Sequence, residues 1–321
     1  LVSVNLVDME DQSGKKSVIK LFFMDGSKKA FAFLDSDTIA KVVEAVSEKL
    51  ELKVPDHFSL LEVRKDDERW LKHDETIGSV KTSWGDRDDV KLIFKRKLFF
   101  PSNDSGITDP AAVNLLFIQA VYDVIHGNYP CSEDDALNLG GLQLQVTFGD
   151  WKASYEAGFL KDKISTYVPK ALVASKTLEE WENVLVSKWK PNVGKSALDA
   201  KGLYLNEARN WHFYGSALFH VLRFRDAKKV LQEKAWVGVN HRGLLLLADG
   251  SKEFIAQYNF NQIGRWANST TSFTFVVGDS TSEQKFAFES TQSMEVSSML
   301  QSYVDVLLAE YRARQAANQK V

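Results

Sequence analysis

Asp109-Pro-Ala-Ala-Val-Asn-Leu-Leu-Phe-Ile-Gln-Ala120 is the stretch on which the reading of the fold turns. The Asp can accept from the free N–H groups of a first helical turn. Pro at the next position has the helical φ built in and no N–H to leave unpaired. Val113, Leu116, Phe117, Ala120, Val124 and Ile125 then recur at helical spacing, and Gly127 closes the run. The pattern continues to residue 210. Ser132-Glu-Asp-Asp135 opens a second helix with acids on its first turn, where the helix dipole favours them. Leu178, Trp181, Val184 and Leu185 mark a third helix, and Ala200, Leu203, Tyr204 and Ala208 a fourth.

On both sides of this helical block the period changes. Val18, Leu21, Phe22 and Phe23 lead into Asp25-Gly26, then Phe31, Phe33 and Leu34, which reads as a hairpin because such turns need φ > 0. A helix follows, capped by Ser36, Asp37 or Thr38, with Ile39, Val42, Val43, Val46 and Leu50 on one face. Phe58-Ser-Leu-Leu-Glu-Val63 and Val90-Lys-Leu-Ile-Phe94 read as strands. This is the order of a ubiquitin-like grasp. Beyond residue 212, short apolar runs at Phe219–Phe224, Trp236–Val239, Leu244–Leu247, Phe254–Tyr258, Phe273–Val277 and Phe286–Phe288 alternate with turns such as Asp249-Gly250 and Gly278-Asp279. A last helix carries Val296, Met299, Leu300, Tyr303, Val304, Leu307, Leu308 and Tyr311. The expectation is an α+β chain of three lobes, at residues 1–100, 101–211 and 212–321.

Composition narrows the function classes. The 321 residues are 44% hydrophobic and 26% charged, as in ordinary globular proteins, which excludes wholesale disorder. With 40 Lys plus Arg against 43 Asp plus Glu, the net charge is −3, so no bulk attraction to nucleic acid is expected. The one cysteine, Cys131, excludes an intrachain disulfide and fits a reducing compartment. The Asn-X-Ser/Thr triplets at Asn103 and Asn268 then read as chance matches. No run approaches the length of a transmembrane helix, and Leu1–Val7 lacks the basic start of a signal peptide. The chain opens without an initiator Met, which reads as a piece of a longer one.

Catalytic signatures are thin. Gly194-Lys195-Ser196 resembles the end of a phosphate loop, but Trp189 stands where the first Gly is needed, so a helix cap by Ser196 is the better reading. There is no Gly-x-Ser-x-Gly elbow and no Gly-x-Gly-x-x-Gly. His57, His73, His126, His212, His220 and His241 never pair at metal-ligand spacing, although His212 and His220 can approach in space. Cys131 precedes a helix start, where a thiolate can be stabilised. Asp66-Asp67 and Asp88-Asp89 fall in turns. Neither metal nor cofactor is expected, and the chain reads as no enzyme.

Three features can carry binding. Lys161, Lys163 and Lys170, with Arg223, Arg225, Lys228 and Lys229, offer cations to an acidic lipid surface, each contributing about 1 kcal/mol there. Arg265-Trp266, with the strand Ser272-Phe-Thr-Phe275 and the last helix, can form a groove where an extended peptide adds as a strand. Trp266 would be its apolar anchor. The tail cations Arg312, Arg314 and Lys320 read as a solvated helix end.

The order of lobes, with Lys95-Arg-Lys-Leu-Phe-Phe100, the Asp109 helix, Ala157-Gly-Phe-Leu160, Tyr214-Gly-Ser216 and Ile263-Gly-Arg-Trp-Ala267, resembles a FERM domain. It is more similar to the talin-head type than to the ezrin or band 4.1 type. Glu180-Trp181 through Gly194-Lys-Ser196, Trp211-His-Phe-Tyr-Gly-Ser216 and Ser290-Thr-Gln-Ser-Met294 look like the FERM domains that follow MyTH4 helices in class VII myosin tails. The resemblance implies a ubiquitin-like β-grasp, an acyl-CoA-binding-protein-like helical bundle, and a PH/PTB-like β-sandwich with a C-terminal helix. It implies a non-enzymatic adaptor in the cytoplasm, peripheral at the plasma membrane and actin cortex. Its partners would be receptor or adhesion-protein cytoplasmic tails and acidic membrane lipids, with no nucleic acid, and with an intramolecular contact to a motor domain as a further option. Arg265, Trp266, Ala267, Ser272, Phe273 and Thr274 would then line the receptor-tail groove. Lys161, Lys163, Lys170, Arg225, Lys228 and Lys229 would face phosphoinositide-bearing membrane.

Overall fold

The computed structural model describes residues 10–11, 14–65, 67–100, 104, 106–278 and 281–318. Leu1–Val7, Asp66, Asn103, Asp279 and Lys320, each named above, lie outside the described residues. Two compact units form: one of residues 1–97, 101–127 and 131–210, the other of 98–100, 128–130 and 211–321.

In the first unit, strands β1 (Glu10–Asp11), β2 (Gly14–Phe22), β3 (Lys28–Leu34), β4 (Phe58–Arg64), β5 (Asp67–Trp70) and β6 (Lys91–Arg96) make one sheet of order β1-β2-β6-β4-β5, with β3 also on β2. Pairing is antiparallel except for β2 with β6, where Leu21 faces Leu92. The Asp25-Gly26 hairpin is present, with Gly26 at φ +81. Helix α1 (Ile39–Lys49), capped by Thr38, buries Ile39, Val42 and Val46 against the sheet core. Residues 67–84, to which sequence patterning assigns no element, hold β5 and the short helix α2 (Ile77–Trp84), closed by a Thr76–Ser79 capping box.

The helical part comprises α3 (Pro110–Ile125), α4 (Glu133–Phe148), the single turn α5 (Ile164–Tyr167), α6 (Leu178–Trp189) and α7 (Ala197–Arg209). The caps follow the residue types: Asp109, Ser132, Thr177 and Ser196 each accept a backbone N–H of the first turn. Helices α4 and α6 approach closely because α4 has no side chain at the crossing. A Cβ on Gly141 would lie 2.4 Å from the Lys188 carbonyl oxygen. Trp181, Trp189, Leu144 and Leu185 fill the core beside that crossing. Ala112 and Leu115 of α3 pack into the β-grasp core beside Phe31 and Leu60, so sheet and bundle share apolar interior within this unit.

The second unit is a seven-stranded antiparallel sheet. It contains β7 (Ala217–Arg225), β8 (Val230–Asn240), β9 (Gly243–Ala248), β10 (Phe254–Asn259), β11 (Ile263–Asn268), β12 (Ser272–Val277) and β13 (Gln284–Glu289) in the order β10-β9-β8-β7-β13-β12-β11. It folds over a core where the Phe224 ring lies 5.8 Å from Phe286 and Tyr258 lies 5.1 Å from Phe275. Helix α8 (Ser293–Asn318) covers this core with Val296, Met299, Leu300 and Tyr303. Tyr303 accepts a hydrogen bond from the Phe99 N–H at 3.2 Å, which stitches Leu98–Phe100 to this unit. Gly215, at φ +73, presses on Phe99, and a Cβ there would sit 2.4 Å from the Phe99 Cβ.

Candidate functional site: a free sheet edge and two basic surfaces

Among the described residues, strand β11 pairs only with β12, which leaves its outer backbone edge without a strand partner there. Arg265, Ala267 and Asn268 on it are exposed, and Trp266 is half-buried. The Trp266 indole Nε1 donates to Ser297 Oγ on α8 at 3.2 Å, which fixes the ring between strand and helix. Trp266 is therefore not simply a core residue. The Arg265 guanidinium grips Glu283 through two bonds of 2.7 Å, and this pairing holds the Glu283 carboxyl below its usual range. Met294 on α8 is 56% exposed. An edge strand with few apolar side chains, flanked by a helix, can accept an extended segment as an eighth strand.

The sequence expectation put the edge at Ser272-Phe-Thr-Phe275. Instead β12 lies between β11 and β13, and its ladder positions are taken on both sides. Phe273 is fully buried, its ring stacked on Phe288 at 5.2 Å, and so can reach a ligand with no part of its side chain. Ser272 is held in the turn by Ser269. Thr274 lies in a different place, a recess of about 540 Å³ lined also by Arg225, Lys228, Lys229 and Lys285. Ser297, the groove residue that holds Trp266, escapes sequence reasoning because nothing local tells which face of α8 meets β11. Lys285 was readable from alternation with buried Phe286 and Phe288 on β13.

The two basic sets fall in different units. Lys161, Lys163 and Lys170 are exposed in the first unit, with the Lys163 ammonium 5.2 Å from the Phe148 ring centre. In the second unit, the turn between β7 and β8 is tied by Asp226, whose carboxylate accepts from the N–H groups of Lys228 and Lys229 at 2.7 and 2.8 Å. That turn presents Arg225, Lys228 and Lys229 to solvent. Arg223 is engaged with Glu289 instead.

The weak catalytic candidates change meaning. Burial and the nearby Asp135 carboxylate push the Cys131 thiol up to about 12, which overrules the helix-start argument for a thiolate. Ser196 is a helix cap and Gly194 N–H binds Asp150, with Lys195 on the Pro191 carbonyl. His212 and His220 do not meet: His220 contacts Asp249 and His212 contacts Arg242. Among the described residues, no three His, Cys, Asp or Glu side chains are grouped to hold a metal, and no helix is long and apolar enough to cross a membrane.

Three family models match in succession: "RA like domain" over 15–98, "FERM central domain" over 102–219 and "PTB domain (IRS-1 type)" over 219–308. With the fold above, this succession over residues 15–308 is similar to that of a FERM domain. Its likeness is to talin and to myosin VII. Talin of Oscarella pearsei is 26% identical over 95% of this chain, which spans 13% of that protein. The human myosin 7b C-terminal MyTH4-FERM domain, solved in complex with a harmonin-a PDZ3 domain, superposes with TM-score 0.74 at 21% identity, over 91% of this chain and 60% of that one. The FERM domain of Drosophila merlin, solved with its C-terminal domain, gives TM-score 0.76 at 16% identity, over 92% and 98%.

Proposed function

We propose that this FERM domain is the cargo-binding part of an unconventional myosin tail, linking membrane or receptor cytoplasmic tails to the actin cytoskeleton. It would work in the cytoplasm, peripheral to the plasma membrane and actin cortex. The boundaries of its three lobes would fall near residues 100 and 211. The observation that carries the reading is the unpaired edge of β11, with Trp266 clamped to α8 and Arg265 presented beside it. A bound segment would complete the ladder with backbone hydrogen bonds and place an apolar side chain against Trp266. Acidic phosphoinositide headgroups would meet the basic turn after β7 and the Lys161, Lys163 and Lys170 surface. Titrating a receptor-tail peptide against Trp266→Ala should show binding weakened by more than ~2 kcal/mol, the range of an interface hot spot. Circular dichroism should report an intact fold. Equal affinity, or a variant that unfolds, would return Trp266 to a packing role.

A talin-type head that binds adhesion-receptor tails and acidic phosphoinositides is the second reading, favoured by the match to talin across 95% of the chain. A module that folds back on a motor domain is a third, and motor ATPase with the module added in trans separates it from the first.

A further inference from the structure

Helix α8 outruns the core it covers. Its last buried residue is Tyr303, yet the helix continues to Asn318, roughly 22 Å further at 1.5 Å per residue. A helix of that length is marginal in water on its own, and most helices are held by packing one apolar face. This stretch keeps such a face. Val304, Leu308 and Tyr311 recur at i, i+4 and i+7 with Leu307 beside them, and Leu308 is 44% and Tyr311 61% exposed. The stripe is rotated roughly a quarter turn from the Val296, Met299, Leu300 and Tyr303 face that meets the sheet core, so the sheet does not cover it.

The charges beside the stripe are ordered along the helix. One flank carries Asp305, which accepts from Gln301 Nε2 at 2.8 Å, and then exposed Arg312. The other carries Glu310 and then Arg314, 3.6 Å apart. Acid precedes base on both flanks. When two such helices lie antiparallel, like flanks meet, so Asp305 of each copy comes level with Arg312 of the other. Leu308 of each then faces Tyr311 of the other across the two-fold axis. A parallel pair would instead set Asp305 level with Asp305 and Arg312 level with Arg312. The stripe is therefore complementary to itself in one orientation, and charge of this kind sets orientation more than affinity.

We propose that a second copy of this chain covers the stripe, the two α8 ends pairing antiparallel about a two-fold axis between Ala309 and Glu310. The contact lies past Ser297 and uses neither the β11 groove nor the basic turn after β7. Two four-turn helices bury less than the roughly 1,200–2,000 Å² of a standard interface, so the dimer is expected to be weak, forming at roughly micromolar concentrations. Sedimentation equilibrium of the full chain, loaded from about 1 to about 500 μM, should show the mass rising from one chain toward two. Leu308→Asp and Tyr311→Ser, both at exposed positions, should keep the wild-type circular dichroism and each raise the dissociation constant roughly tenfold or more. Asp305→Arg should raise it roughly threefold or more, because symmetry breaks two pairs at once. Adding Arg312→Asp to that variant swaps the charges and should restore the wild-type value. Monomer mass at every concentration would leave the stripe to another protein and overturn the proposal. So would a dimer untouched by Leu308→Asp and Tyr311→Ser, or a charge-swapped variant no tighter than Asp305→Arg alone.

Discussion

His241 has its pKa pushed down to about 4 by burial and by the Arg242 charge beside it. The unfolded chain titrates this group near 6.5. Above that pH both states are neutral and the group adds no pH dependence. Between 6.5 and about 4 the unfolded chain takes up a proton that the native turn refuses, so stability falls as pH falls; below about 4 the slope ends. Among the described residues, the groups facing His241 are Arg242 and, through it, His212, and neither is a carboxylate. Urea titrations of the wild type and His241→Gln across pH 4 to 7.5 should show a shallower slope for the variant in this window. Parallel slopes would contradict the assignment. Residue identities that act locally were legible in sequence: Asp109 and Ser196 cap helices as their types predict. The arginine between two histidines was not legible, because residues 212 and 242 meet only through strand pairing.

At the scale of elements, the hairpin of β7 and β8 bears the clearest electrostatic consequence. Its turn holds Arg225, Lys228 and Lys229 in a geometry set by Asp226, and Lys285 adds a fourth cation from β13. Reversing Arg225, Lys228 and Lys229 to Glu should reduce binding to acidic-lipid vesicles in a co-sedimentation assay by more than tenfold, since each cation contributes about 1 kcal/mol. The wild-type affinity should fall steeply with salt, because exposed charges are screened within about 8 Å at physiological ionic strength. If only reversal of Lys161, Lys163 and Lys170 weakens binding, the membrane face belongs to the first unit. Helices were easier to read than strand neighbours here. Helical spacing is a local property, whereas the outermost position of β11 follows from pairing between distant segments. Strand β5 was hidden by its charges: Asp67-Glu-Arg-Trp70 pairs with β4, and Arg69 reaches the buried Glu62.

At the scale of the whole molecule, the division into folding units differs from the division into sequence patterns. The grasp sheet and helix bundle lie in one compact unit, with Ala112 and Leu115 of α3 inside the sheet's own core. A fragment ending at residue 100 would leave that apolar surface open. Each buried aliphatic side chain contributes about 1.5–3 kcal/mol, so the fragment should unfold at clearly lower urea than the same sheet within residues 1–210. Hydrogen exchange or limited proteolysis would read the difference, and equal protection in both would show that the sheet stands alone. The period switch at Asp109 revealed the change from strands to helices, but shared interior between two patterns leaves no mark in either.

The high-pKa Cys131 has a practical use. A thiol protonated to about pH 12 reacts sluggishly with maleimide at neutral pH. A second cysteine placed at exposed Met294 would therefore take a fluorophore almost alone. That reporter would sit on α8 three residues before Ser297, which holds Trp266 of β11, and its colour would test whether anything comes to occupy that edge.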